Sequence, residues 1–319
     1  MQTWFEAMQL QADNIRMRKY IFYQLDVFAD KQFCGNPLAV FPEADGLSDE
    51  EMQKIANEMN LSETVFVFPS EKAVRRLRIF TPKQELPLAG HPVVGTWNLL
   101  ASLGVTPQAD NDSVQIEHEL NIGVLPVEIE FRGGEPVQVV MTQGKFEAFE
   151  EITNEAEIEK LANSLGIEIE DLNFSADLPI QTVSTGIKSL AVPVKSLDVL
   201  GKMKINSSGL CEVYLRRGAI GCYVFTFETK ETESKIHARF FAPDDNIAED
   251  AATGSAAGAL SGYLIHHDAI KVKKFTIEQG DFMNRPSRIH AEVAGAKGKV
   301  ELVKIGGNSV VVAKGEIYL

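Results

Sequence analysis

Positive charge is what this chain has least of. Forty-five acidic residues outweigh 31 Lys and Arg, leaving a formal net charge of −14 over 319 residues. No Lys/Arg-rich stripe relieves that balance, which argues against nucleic acid or an anionic membrane as partner. Cysteine is scarce as well. Cys34, Cys211 and Cys222 are odd in number and lack CxxC spacing, so they read as free thiols of a reducing, cytoplasmic compartment. No stretch approaches the apolar length of a membrane span. Residues 1–16 lack the apolar core of a signal peptide and read as an N-terminal extension outside a fold that starts at Met17.

Several signatures of borrowed chemistry are absent too. There is no HExxH, no Cys/His pair and no carboxylate loop, so no metal is expected. A Walker loop is missing, as is Gly-x-Gly-x-x-Gly after a strand, and no cofactor is expected. Gly254-Ser255 lacks the glycine two positions before the serine that a nucleophile elbow needs.

What is present is a soluble globular composition, 45% hydrophobic and 24% charged, in a chain long enough for two domains. One segment is also written twice. Arg78-Ile79-Phe80-Thr81-Pro82 leads through Leu88-Ala89-Gly90-His91-Pro92 into a small-residue apolar run ending near Leu100. Arg239-Phe240-Phe241-Ala242-Pro243 leads through Glu249-Asp250-Ala251-Ala252-Thr253-Gly254-Ser255 into another, ending near Leu264. A strand, a loop, a glycine turn and a helix start recur, as in a protein of two lobes with one site between matched helix N-termini.

Around these segments the pattern is of many strands and few helices. Ser48 and Glu51 form a capping box that predicts a helix through Met59, and Asn154 to Leu165 predicts another, ended by Gly166. The acidic cluster Glu147 to Glu159 reads as a solvated helix face, and Cys211 to Leu215 as a strand. The fold class expected is α+β: two pseudo-symmetric lobes, each a curled, mostly antiparallel sheet around a central helix. The first lobe is expected over 17–130, with a last strand 309–319 returning to it, and the second over 131–308.

Helix starts expose unpaired N–H groups and partial positive charge, which suits them to a carboxylate or phosphate. Gly90 and Gly254 allow close backbone approach, and His91, Thr253 and Ser255 add side-chain donors. The plainer alternative is that small residues only let a buried helix pack tightly. Glu63, in the break Ser62-Glu63-Thr64 beside an apolar strand, is either a proton carrier with a raised pKa or an exposed strand-end carboxylate. Asp250 either caps the incoming helix or lies in the cleft as a second acid. His91 is a candidate proton carrier, whereas His118, His237 and His290 stand isolated within strands.

Taken together, Asp26-x-Phe28, Phe33-Cys34-Gly35-Asn36-Pro37-Leu38-Ala39-Val40, Ser62-Glu63-Thr64-x-Phe66, Gly90-His91-Pro92 and Glu249-Asp250-x-x-Thr253-Gly254-Ser255-Ala256 resemble the PhzF-like family of phenazine biosynthesis. The resemblance spans about residues 20–319 and implies the diaminopimelate-epimerase-like fold. By motif position Glu63 matches the family's catalytic glutamate. His91, Asp250 and Ser255 match residues that line the cleft and orient the substrate, and Gly90 and Gly254 match its backbone donors.

Epimerases and racemases of the wider superfamily carry a thiol at each helix start. Here the turns read Ala89-Gly90-His91 and Thr253-Gly254-Ser255, with none. The expectation is a cofactor-free isomerase moving a proton and double bond in a small carboxylic-acid metabolite. Catalysis is assigned to Glu63, His91 and Asp250, and substrate binding to Ser62, Gly90, Thr253, Gly254 and Ser255. A non-catalytic binding protein and a non-thiol epimerase or racemase remain the alternatives. The partner expected is a small anion, and a homodimer is kept open.

Overall fold

The computed structural model describes residues 17–245 and 247–319; the extension expected at 1–16 lies outside the described residues. Alternating β-branched and aromatic residues form strand β1 (Lys19–Val27), and the Gly35 turn returns the chain into antiparallel β2 (Asn36–Phe41). Helix α1 (Asp49–Met59) opens on the capping box of Ser48 and Glu51 and closes at Asn60 in the left-handed region. Strand β3 (Glu63–Phe68) runs parallel to β2 and antiparallel to β4 (Arg76–Phe80), which folds back into the short β5 (Glu85–Leu86). Helix α2 (Gly90–Ser102) follows. A meander of β6 (Ser113–Leu120), β7 (Gly123–Arg132) and β8 (Glu135–Thr142) continues the first half.

After β9 (Glu147–Glu151) and α3 (Glu155–Leu165) the same order returns. Strands β10 (Gln181–Ser184) and β11 (Lys188–Pro193) are antiparallel, and α4 (Leu197–Lys202) and α5 (Ser207–Arg216) stand where the first half has α1. Strand β12 (Cys222–Thr226) runs parallel to β11 and antiparallel to β13 (Ser234–Ala242), which folds back into β14 (Ile247–Asp250). Helix α6 (Gly254–His266) then leads to a meander of β15 (Lys274–Gln279), β16 (Ser287–Ala296) and β17 (Lys299–Gly307). The parallel pairing of β4 with β6 is repeated by β13 with β15.

The last strands of the two halves are exchanged. Strand β9 pairs with β10 of the second half, while β18 (Ser309–Tyr318) runs antiparallel along the whole of β1. Strands β8 and β17 also pair, so the halves share one continuous hydrogen-bonded sheet. Each half curls around its own helix. Helix α2 is buried from His91 to Ala101 and α6 from Ala256 to Ile265, as helices enclosed by sheet must be. Gly95 lets α2 settle onto β1 and β2: a Cβ there would come within 2.6 Å of Val27 Cγ2 and 2.7 Å of Leu38 Cδ2. This is the two-lobed α+β architecture expected.

Local details differ from the sequence reading. Cys211–Leu215 lies inside helix α5, not in a strand. Asn206 caps that helix by accepting from the Gly209 N–H, and Leu210, Val213 and Tyr214 recur at helical spacing to face the core. The cluster Glu147 to Glu159 is no single helix face, because it divides between β9 and α3. The lobe division expected at 130/131 falls within β7, and β8 packs against α2; we propose that the first lobe extends to Thr142. Among the described residues no helix is long and apolar enough to cross a membrane.

Candidate active site

Helices α1, α3, α4 and α5 all begin with a side chain that accepts a hydrogen bond from their first turn: Ser48, Asn154, Ser196 and Asn206. The two central helices do not. Ala89 precedes α2 and Thr253 precedes α6, and neither makes a side-chain cap. Their first N–H groups are left to another partner. The two starts also face each other, since a Cβ on Gly90 would lie 3.8 Å from both Gly254 Cα and the Ser255 amide nitrogen. Gly90, Thr253 and Ser255 are half-buried, so the gap between them reaches solvent.

The titratable groups converge on this gap. Glu63, the first residue of β3, places a carboxylate oxygen 3.2 Å from His91 Nε2 in the first turn of α2. Both atoms are buried and neither has an aligned hydrogen-bond partner. Burial pushes the Glu63 carboxyl up to about 8, with the nearby charge of Asp250 adding to the effect. Burial pushes His91 down to about 3. At neutral pH this pair is therefore a carboxylic acid beside an uncharged imidazole, not an ion pair.

Asp250, the last residue of β14, does not cap α6. Its Oδ2 accepts from Thr253 Oγ1 at 2.6 Å and its Oδ1 from Asn36 Nδ2 at 2.8 Å. Burial raises it to about 6, while the hydrogen bonds from Thr253 and Asn36 pull the other way. Two acids in one cleft are thus held apart in proton affinity, the arrangement that separates acid from base roles.

Three residues of the site escaped the sequence reading. Asn36 reaches across from the first lobe to Asp250 and to the Ala252 carbonyl, and accepts from Ser62 Oγ at 3.4 Å. Gln279, fully buried at the end of β15, donates to the Asp250 carbonyl and to Thr253 Oγ1, each at 2.9 Å, and accepts from the Thr253 N–H. Tyr223 donates to Gln279 Oε1 at 2.9 Å and holds that amide in place. Asn36 stands within the family-like stretch Phe33 to Val40 with no role assigned to it, and nothing in its immediate neighbours marks Gln279. His237, which looked isolated, instead pairs with Glu278 at 2.6 Å in the core of the second lobe.

The duplicated frame does not duplicate the acid. Thr64 lies opposite Phe80 and Phe66 opposite Arg78, as Cys222 lies opposite Phe241 and Val224 opposite Arg239. The residue before Thr64 is Glu63; the residue before Cys222 is Gly221. A Cβ on Gly221 would come within 2.4 Å of Phe240 Cζ and 2.8 Å of the Phe241 carbonyl oxygen, so the second lobe has no room for a matching carboxylate.

Known proteins give this geometry its context. Residues 25–315 match the PhzC-PhzF family, described as phenazine biosynthesis-like protein. An uncharacterized isomerase of Clostridium acetobutylicum is 38% identical over 95% of this chain and 99% of its own. The trans-2,3-dihydro-3-hydroxyanthranilate isomerase of Pseudomonas aeruginosa is 34% identical over 95% of this chain and all of its own length. Among solved structures, the PhzF-family phenazine biosynthesis protein of Bacillus anthracis superposes with a TM-score of 0.83 at 31% identity, covering 94% of this chain and 99% of that one. The uncapped facing helices and the acid between them are carried by an isomerase of the PhzC-PhzF family, to which this chain belongs.

Proposed function

We propose that this isomerase works without a cofactor, moving one proton between two carbons of a small unsaturated carboxylic acid. The observation that carries the reading is Glu63, a buried acid with a raised pKa, in contact with a neutral His91 beside two uncapped helix starts. A proton carrier works best when its pKa lies near the working pH. With Glu63 at about 8, roughly a tenth is ionised at pH 7 and the rest holds the proton. The ionised form removes a proton from one carbon, the double bond shifts, and the same carboxyl returns the proton to another carbon. Atoms and charge balance with no other reactant.

His91 donates to or accepts from the Glu63 carboxyl as it changes state. The amides at Gly90, Gly254 and Ser255 hold the substrate carboxylate, where charge-assisted bonds are roughly twice as strong as neutral ones. Asp250, an acceptor fixed by Asn36 and Thr253, receives an N–H or O–H of the substrate. Ser62 lines the same wall through its bond to Asn36. Gly221 disfavours epimerisation by matched groups on opposite faces, since the second lobe has no counterpart of Glu63.

The first compound to test is trans-2,3-dihydro-3-hydroxyanthranilate, followed by a panel of small unsaturated and 2-amino or 2-hydroxy acids, each in heavy water. A shifted double bond supports the reading, and deuterium at the receiving carbon reports how far the proton on Glu63 exchanges with solvent before its return. Binding without a shifted double bond overturns catalysis, and exchange with inversion at a stereocentre favours an epimerase.

A further inference from the structure

The stretch Asp26–Asn36 carries part of the family resemblance, yet only its last residue contacts the proton-handling groups through hydrogen bonds. Its backbone is forced. Phe28 and Phe33 adopt left-handed φ values of 61° and 65°, a region that bulky side chains enter only when held there. Gly35 has φ 60°, and a Cβ on it would lie 2.1 Å from the Val27 carbonyl oxygen.

What holds the turn comes from the other lobe. Arg285, between β15 and β16, donates from Nε to the Gly35 carbonyl at 2.8 Å. Its Nη2 donates to the Cys34 carbonyl at 2.9 Å and to Asp26 Oδ1 at 2.6 Å. The next residue, Pro286, accepts the Gly35 N–H at 3.0 Å. Asp26 is 1% exposed, and its second oxygen accepts the Phe33 N–H at 2.5 Å. Both ends of the turn reach the site. The Phe28 ring lies against the start of α6, 3.3 Å from where a Cβ on Gly254 would sit, and Asn36 donates to Asp250 and Ala252.

We propose that Arg285 is a positioning residue: by gripping Asp26 and the Cys34–Gly35 carbonyls from the opposite lobe, it sets Asn36 against Asp250 and Phe28 against the start of α6. The planar fork makes this specific, because a lysine at the same place offers a point charge and cannot span a carboxylate and two carbonyls at fixed angles. The inference rests on placing Asp250 in the active site. It concerns how that carboxylate is held, not what the cleft catalyses.

The test is a carbon-13 NMR titration of the Asp250 carboxyl, assigned with Asp250→Asn, in wild type, Arg285→Ala, Asn36→Ala and the double variant. The titratable groups facing Asp250 are Glu63, Glu249 and Tyr223. The Asn36 hydrogen bond favours the charged form, so its loss raises the midpoint by about one pH unit, the size of one charge-assisted hydrogen bond. Arg285→Ala is expected to raise it similarly, and the double variant no further than Asn36→Ala alone. An unmoved midpoint in a folded Arg285→Ala protein overturns the proposal. So does an equal shift with and without Asn36, which would mark a direct effect of the guanidinium charge. Arg285→Ala leaves Asp26 buried without its partner, and Arg285→Ala/Asp26→Asn removes that orphan charge if the single variant does not fold. None of these readouts needs turnover, so an active Glu63→Gln protein would sink the proton-carrier reading and leave this titration standing.

Discussion

The hairpins that lead into the two central helices are built from the same parts and differ in what they contribute to the cleft. In the first lobe Arg78 clasps Glu85 through two hydrogen bonds of 2.8 and 2.6 Å, with its guanidinium 5.3 Å from the centre of the Phe80 ring. In the second, Arg239 clasps Glu249 through bonds of 2.8 and 2.7 Å and lies 5.0 Å from the Phe241 ring. Each Glu precedes its helix-start glycine, Gly90 or Gly254, by the same interval. The residue after each Glu is Leu86 in one lobe and Asp250 in the other. His91 corresponds in the same way to Ser255, and Glu63 to Gly221. A shared frame brings two helix starts together, and substitutions on one side or the other decide which groups hold a proton. Under the proposed function, symmetry supplies binding and asymmetry supplies chemistry.

The largest expected effect comes from removing the asymmetric acid. Glu63→Gln is expected to cost about 10²–10⁴-fold in turnover, the usual contribution of a positioned acid–base, with the fold intact. Isomerisation rates and a circular dichroism spectrum check the two halves of that statement. An unchanged rate would mean the lobes differ at this position for a reason other than proton transfer.

Next in size are the two matched clasps. Arg239 also donates to the buried Leu200 carbonyl, whereas the extra partner of Arg78 is the exposed Asp49. Arg239→Met leaves Glu249 largely buried and unpaired, and is expected to destabilise by about 3 kcal/mol. Arg78→Met is expected to cost about 1–2 kcal/mol, because solvent can replace part of what is lost. Urea unfolding midpoints of the two variants measure the difference; equal losses would mean that burial does not distinguish the lobes.

A third contrast is one of pH. Glu63 is raised from 4.5 to about 8 in the fold, so its contribution to stability is complete below pH 4.5 and is lost as pH rises towards 8. His91 is lowered from 6.5 to about 3, so its contribution is complete above 6.5 and is lost as pH falls towards 3. Glu63→Gln should therefore gain stability over wild type as pH rises from 5 to 8, by a few kcal/mol at most given its partial contact with solvent. Thermal unfolding across that range tests the sign, and a constant difference would contradict the burial of a neutral acid.

How much of this was legible in the chain depends on how local each signal is. The Ser48–Glu51 box, the Asn154 cap and the doubled Gly90 and Gly254 starts are written within a few residues, and each is where the sequence pattern puts it. The expected α+β architecture follows from that doubling. Helix α5 was misread because Cys211-Glu212-Val213-Tyr214-Leu215 alternates over a span too short to separate periods of 2 and 3.6. Asn36, Gln279 and Arg285 were missed because their partners lie 214, 26 and 259 positions away, at Asp250, Thr253 and Asp26. No composition or periodicity marks a side chain whose partner lies that far along the chain.

The smallest expected effect belongs to the symmetric part. Sulfate or phosphate should bind weakly between Gly90-His91 and Thr253-Gly254-Ser255 in spite of the −14 charge, because screening over about 8 Å removes much of the distant field. Amide chemical shifts at Gly254 and Ser255 should move on titration with sulfate. Their staying fixed would mean the facing helix starts do not serve as an anion site.

On the proposed reading Glu63 holds a proton at neutral pH, in a cleft where its structural counterpart is a glycine. Carbon-13 NMR of the Glu63 carboxyl, assigned with Glu63→Gln, measures this directly. The expected midpoint is about 8. A midpoint in the ordinary carboxylate range, near 4.5, would contradict it.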